Sequence, residues 1–180
     1  MLFRSYSAFS RMHVQRTWDA ILNAPLTLDD VVIGEWVWAA SKGLLSGCAV
    51  LLVAAALELA ASPLALLIIP VIVLTGLAFS ALGLIVTALS PSYDFFMYYF
   101  TLAITPMILL CGVFYPLEQL PALAQVAAQA LPLTHAVALS RPLMLGALPT
   151  QVGLHVLVLV IYAGVSLAVA RHLLRNRILQ

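Results

Sequence analysis

The chain has 180 residues, of which 64% are hydrophobic and 8% charged, with a net charge of +1, whereas soluble domains carry roughly 25% charged residues. The deficit excludes an ordinary water-soluble domain, and a near-neutral balance without a basic run excludes nucleic acid as a partner. Cys48 and Cys111 stand in separate apolar runs at no metal-binding or redox spacing and read as small packing residues.

The first thirty residues are the most polar stretch. Arg4, Arg11 and Arg16 with no apolar core do not read as a cleavable leader. Val14, Trp18, Ile21 and Leu22 recur at i, i+4, i+7 and i+8, which predicts an amphipathic helix over Met12 to Ala24 with Arg16 and Asp19 on its polar faces. Pro25 ends it, because a proline disfavours helix in the residue before it. Thr27 then caps a new helix, with Asp29 and Asp30 placed where carboxylates favour the positive end of the helix dipole.

A membrane span needs about 20 apolar residues to cross a hydrocarbon core of ~30 Å. No charged residue stands between Glu58 and Asp94, and in lipid only helices or closed barrels satisfy their own backbone. The spans are predicted at Ile33 to Glu58, Pro63 to Ser90, Phe95 to Tyr115 and Gln151 to His172, with Ser62-Pro63 as the outer turn between the first two. The segment Pro116 to Pro149 is apolar but cut by Pro116, Pro121, Pro132, Pro142 and Pro149. Its pieces, Leu117 to Leu131 and Thr134 to Leu145, are too short to cross and read as a re-entrant helical hairpin turning at Pro132-Leu133-Thr134. A kinked fifth span is the other reading of that segment. The fold class is therefore all-α: a polytopic membrane protein with four transmembrane helices and an outer re-entrant hairpin. Arginines at both ends (Arg171, Arg175 and Arg177 at the C-terminal one) put both termini in the cytoplasm. That requires an even number of crossings.

Lys42 lies inside the first span and could meet an anionic head group or Glu35, or its stem could snorkel to the interface. Asp94 opens the third span as a first-turn carboxylate. Tyr93, Tyr98 and Tyr99 belong to an aromatic crowd that forms either an interfacial belt or a stacking platform for sugar rings on a substrate path. Pro121, Pro132, His135, Arg141 and Gly146 are read as structural residues of the hairpin, with Arg141 hydrogen-bonding backbone carbonyls near Pro132. His155 is a lone polar residue packed against a neighbouring span. Catalytic and metal-binding sets are absent from the pattern. The basic C-terminal residues suit an anchor beside anionic lipid.

Several short stretches carry a resemblance in consistent order: Phe9-Ser10-Arg11-Met12, Gln15-Arg16-Thr17-Trp18-Asp19-Ala20, Thr75-Gly76-Leu77-Ala78-Phe79, and Ala88-Leu89-Ser90-Pro91-Ser92-Tyr93-Asp94. They continue through Thr105-Pro106, Gln119-Leu120-Pro121, Leu131-Pro132-Leu133-Thr134-His135, Arg141-Pro142 and Leu145-Gly146. Together they resemble the ABC-2 type transporter permeases and, among them, the branch exporting nodulation-type lipo-oligosaccharides (NodJ-like).

The resemblance implies a permease of the bacterial inner membrane that pairs with a copy of itself and with a separate ABC ATPase subunit (NodI-like). The chain has no Gly-x-x-x-x-Gly-Lys loop, so ATP is expected on the partner and no cofactor on this chain. The resemblance further makes Met12 to Ala24 the coupling helix that docks on the ATPase through Val14, Arg16, Trp18, Asp19, Ile21 and Leu22. It makes Leu117 to Leu145 the family's hairpin. The family places an interfacial helix and two spans before the coupling helix, and Met1 falls near the end of the second; the expectation is a fragment, a mis-assigned start or a truncated gene. A permease for drugs or polysaccharides is the alternative. A helical membrane enzyme or assembly factor fits less well, because the seven acids are scattered rather than gathered at one interface.

Overall fold

Thr27 opens the first of the described helices, as its sequence requires. Its hydroxyl accepts from the Asp30 amide while the Asp30 carboxylate accepts from the Thr27 amide, a reciprocal cap that satisfies two otherwise orphaned donors. The computed structural model describes residues 27–60, 62–90, 93–114 and 117–178; the predicted coupling helix at Met12 to Ala24 lies outside them. Helix α1 spans Leu28–Ala56. It starts five residues before the predicted Ile33 because the cap sets the start, not the lipid boundary. It closes at Glu58, which adopts φ 56° while the Glu58 and Leu59 amides return to Ala55 and Ala54 carbonyls. Those two bonds form the left-handed cap that ends many helices.

Ser62 accepts from the Leu64 amide, and Pro63–Leu67 forms a tight 3-10 turn that runs directly into α2, Ile68–Leu89. Helix α2 is the centre of the molecule. Of its apolar window 39% is buried, against 11% for α1 and 17% for the last helix, so the others pack around it.

The third apolar segment departs from a regular span. It runs as α3 (Tyr93–Tyr99), a π-helical stretch Phe100–Ile104, and α4 (Thr105–Leu110). Pro106 explains the distortion: it has no amide to donate and its ring crowds the carbonyl one turn back. The chain relieves this by widening, with the Thr105 amide reaching the Phe100 carbonyl. The helix then stops at Leu110, short of the predicted Tyr115. Gly112 turns the chain at φ 83°, a conformation glycine adopts without steric cost.

The hairpin comprises a 3-10 turn Leu117–Gln119, α5 (Ala122–Gln129) and α6 (Pro132–Met144), with α5 and α6 bent by 87°. Its turn precedes Pro132 rather than being centred on Leu133. Leu131 is extended (φ −89°, ψ 132°) and Pro132 is the first residue of α6, because proline excludes helix before it and favours the first helical position. Gly146 (φ 76°) caps α6, with the Gly146 and Ala147 amides on the Leu143 and Pro142 carbonyls. Helix α7, Val152–Ile178, returns along α2 and continues past the predicted His172.

Packing divides into two ends. At one, Val31 and Val32 of α1 meet Leu84 and Ala88 of α2 and Ala170 and Leu174 of α7. Here Arg171 makes a paired contact with Asp29 at 2.6 and 2.9 Å, and Arg177 donates to the Thr87 and Ala88 carbonyls at the end of α2. These bonds explain why α7 stays helical beyond the apolar stretch. At the other end, Ile68 and Val71 pack with Ala136, Leu139 and Leu143 of α6 and Leu159 of α7. The start of α1 and the end of α7 therefore share one end, and the hairpin occupies the opposite one. Helices α1, Pro63–Leu89 and α7 are each long and apolar enough to cross a membrane.

Candidate functional site

The hairpin is the feature that a bundle of plain spans would not have. Its turn is sunk well below the end of the molecule. Leu131 and Leu133 pack against the cluster of Phe79, Ile104 and Met107, and Phe79 lies eleven residues into α2, ~16 Å along it at 1.5 Å per residue. Tyr162, ten residues into α7, donates its hydroxyl to the Ala130 carbonyl. The turn thus enters the apolar layer.

Non-helical backbone at that depth survives in lipid only when protein groups satisfy it. The hairpin meets the requirement with two side chains. Tyr162 serves Ala130, and His135 Nε2 lies 2.9 Å from the Gln129 carbonyl. A carbonyl can only accept, so His135 Nε2 carries a proton. His155 Nδ1 sits 2.8 Å from His135 Nδ1, one of the two nitrogens donating and the other accepting. The rings are tilted by 50° at 5.1 Å between centroids. His135 is thus a buried link between the hairpin turn and α7, and His155 is paired rather than alone.

Arg141 hydrogen-bonds a backbone carbonyl, but the carbonyl is that of Gly112 at 3.2 Å, not one near Pro132. The reason is the direction of α6: Arg141 lies more than two turns beyond Pro132, beside the turn that ends α4. Pro121 precedes α5 as its cap residue, and Pro132 and Gly146 bound α6.

The described residues expected on a substrate path stand on different elements. Lys42 sits at the middle of α1 with its ammonium 5.6 Å from the Trp38 ring centre, a cation–π distance, and it reaches back along the helix as helical side chains do. Tyr99 packs with Phe96 against Val86. Tyr98 is 65% exposed, because adjacent helical residues point about 100° apart, and Asp94 is exposed in the first turn of α3. Of Tyr93 the structure gives only its place at the start of α3. Among the described side chains the aromatic crowd is thereby split between packing against α2 and facing outward. Val14, Arg16, Trp18, Asp19, Ile21 and Leu22 lie outside the described residues.

Between α1, α2 and α6 there is a cavity of about 470 Å³, bordered by Gly43, Ile72, Thr75, Leu133, Val137 and Arg141 among others. Gly76 permits the α1–α2 contact beside it, since a Cβ there would stand 3.4 Å from the Ala40 carbonyl. Among the described residues no group of three metal-ligating side chains occurs. Sequence reasoning missed Tyr162, the His135–His155 pair and this cavity. Each depends on residues at least twenty positions apart, which no local spacing reveals.

The model of the ABC-2 type transporter family matches residues 1–145. The chain is 49% identical over 175 residues to Nodulation protein J of Rhizobium leguminosarum bv. trifolii, covering 97% of this chain and 67% of that protein. Against the Nodulation protein J of Rhizobium meliloti it is 47% identical over 174 residues, 97% of this chain and 66% of the relative. The Azorhizobium caulinodans protein of the same name is 35% identical over 62% of this chain. The chain thus spans about two thirds of the length of the first two relatives. Comparison with solved structures gives no match.

Proposed function

This chain belongs to the ABC-2 type transporter family, and from that membership we propose that it is the membrane permease subunit of an exporter moving a lipo-oligosaccharide or similar amphiphilic glycan. The observation that carries the reading is identity of nearly one half along almost the whole chain to proteins named for nodulation. The helical, multi-pass architecture supports it, as does a hairpin that brings satisfied polar backbone into the apolar layer. ATP is hydrolysed by a separate ABC ATPase, which engages the segment Met12 to Ala24, and the permease works as a pair of copies. The end bearing Arg171, Arg175 and Arg177 faces the cytoplasm of a bacterial cell, which puts the hairpin on the outer side of the inner membrane.

The test is export in a cell lacking its own system of this kind. The permease is expressed with an ABC ATPase of the cell it comes from, and labelled acylated chito-oligosaccharide is followed into the medium. Export is expected only when both subunits are present and the ATPase retains its catalytic residues. Retention of the glycolipid in the cell, together with export of a drug or of a polysaccharide without a lipid tail, would overturn the substrate assignment.

A further inference from the structure

Two histidines meet where the first turns of two helices converge. His135 is the fourth residue of α6 and His155 the fourth of α7. His135 is buried and His155 half-buried, and their Nδ1 atoms stand 2.8 Å apart. On its far side the His135 ring is fixed, because Nε2 donates to the Gln129 carbonyl of the hairpin turn. The contact therefore ties that turn to α7, alongside the bond from Tyr162 to the Ala130 carbonyl.

The contact has room for one proton. Two nitrogens at that distance share a single hydrogen, one donating and the other accepting. His135 already carries a proton on Nε2, so only its Nδ1 can take the proton that charges the ring. With both rings charged, both Nδ1 atoms bear hydrogen and neither can accept. The bond then becomes a meeting of two donors and two like charges. The surroundings give those charges no relief. Each ring lies in a first helical turn, at the positive end of a dipole. Of the elements packed against α6 and α7, α2, Pro63–Leu67, α4 and α5 contain no acidic or basic residue. Arg141, farther along α6, is itself a cation and is held on the Gly112 carbonyl. Tyr162 is a neutral phenol bonded to Ala130. The charged groups of α1 (Asp29, Asp30, Glu35 and Lys42) belong to a helix that meets α7 at the opposite end, where Val31 and Val32 pack with Ala170 and Leu174. Arg171, His172, Arg175 and Arg177 stand at that far end of α7 as well. The acids toward the hairpin end are Glu58, exposed just beyond α1, and Glu118, in the turn that precedes α5.

We propose that the His135–His155 contact is a proton-operated latch on the hairpin, closed while one proton lies between the rings and released when each ring carries its own. The released state binds a proton that the latched state cannot, so a fall in pH shifts the population toward release and a rise restores the latch. Imidazole is the side chain that changes charge between pH 5 and 8, and the latch works within that window. Release leaves Tyr162 holding the turn, and α5 with the start of α6 is then free to move away from α7. His155 lies within the first turn of α7, so protons reach it from the hairpin end. That end is the outer one on the orientation proposed above, and the latch would then sense acidity outside the cell. Its operation does not depend on that orientation.

The experiment uses the full chain, carrying Cys48→Ser and Cys111→Ala, in phosphatidylcholine nanodiscs without ATPase or nucleotide. Both faces then see the same pH, and the outcome is separate from export and from orientation. Spin labels at Leu123→Cys in α5 and Leu157→Cys in α7, both exposed, report the separation of the two helices by pulsed dipolar spectroscopy. A single short distance is expected at pH 8, and a longer one should grow reversibly until it predominates at pH 5. His155→Gln can bond His135 Nδ1 through its carbonyl or its amide but takes no charge, so the short distance should persist at pH 5. Glu58→Gln combined with Glu118→Gln should leave the response unchanged. Nitrogen NMR of the His135 and His155 rings needs no histidine variant, and both rings should charge over the interval in which the distance lengthens. One distance at every pH, a transition that survives His155→Gln, or one that disappears with the two glutamates would overturn the latch. So would rings that are still neutral at pH 5.

Discussion

The hydroxyl of Tyr162 and the ring of His135 hold two carbonyls of the hairpin turn, whose residues lie on the surface of the molecule and, at that level of the bundle, face lipid rather than water. Removing one should therefore cost more than a surface hydrogen bond would. Tyr162→Phe leaves the Ala130 carbonyl unserved and is expected to lower stability by ~1–3 kcal/mol, read as an earlier midpoint in thermal or detergent unfolding of the purified protein. An unchanged midpoint would show that the bond contributes nothing. Glu58 offers the opposite test. It holds a left-handed conformation that costs an L residue ~1–2 kcal/mol and glycine almost nothing, so Glu58→Gly should raise the same midpoint. At this scale the sequence was informative where the signal was local. Thr27 with Asp30 announced a cap. Arg141 announced a backbone-bonding role, although its acceptor proved to be Gly112. The pairing of His135 with His155 was invisible, because twenty residues and a re-entrant turn separate them.

Elements follow the same division. The long apolar helices were legible from the absence of charge, and the hairpin from its prolines, since neither arm is long enough to cross. The hairpin turn lies before Pro132 rather than across Pro132-Leu133-Thr134, because proline favours the first position of the helix that follows a bend. The widened stretch Phe100–Ile104 had a signal in Pro106, but the form in which a helix accommodates a proline depends on what packs around it. For the segment Met12 to Ala24 the periodic stripe remains the argument. A helix so short is marginal alone in water, and a mixed polar face with Asp19 suits a protein groove better than an anionic membrane surface. Trp18→Ala is expected to leave membrane insertion intact and to reduce co-purification of the ATPase by at least tenfold, since large aromatics at interfaces contribute roughly 2 kcal/mol or more. Full recovery of the ATPase with that variant would count against docking there.

For the whole molecule, the bond between Asp29 and Arg171 and the capping of α2 by Arg177 tie the beginning of the first helix to the end of the last. With that end cytoplasmic, a cysteine introduced at Gln125 should react with a membrane-impermeant thiol reagent in intact spheroplasts and not in inside-out vesicles; the reverse pattern would invert the orientation. Parity of the spans could be argued from arginines alone, but the closure of the bundle around α2 could not, because it rests on which faces meet. The third segment carries a consequence for the surrounding lipid. From Asp94 to Leu110 its apolar helix has 17 residues, ~26 Å at an α-helical rise, beside an α1 of 29 residues. A hydrocarbon layer of ~30 Å cannot match both. The bilayer is expected to thin along α3 and α4 while α1 takes up its extra length by tilting, which shortens the hydrocarbon path for a polar head beside α3 and α4.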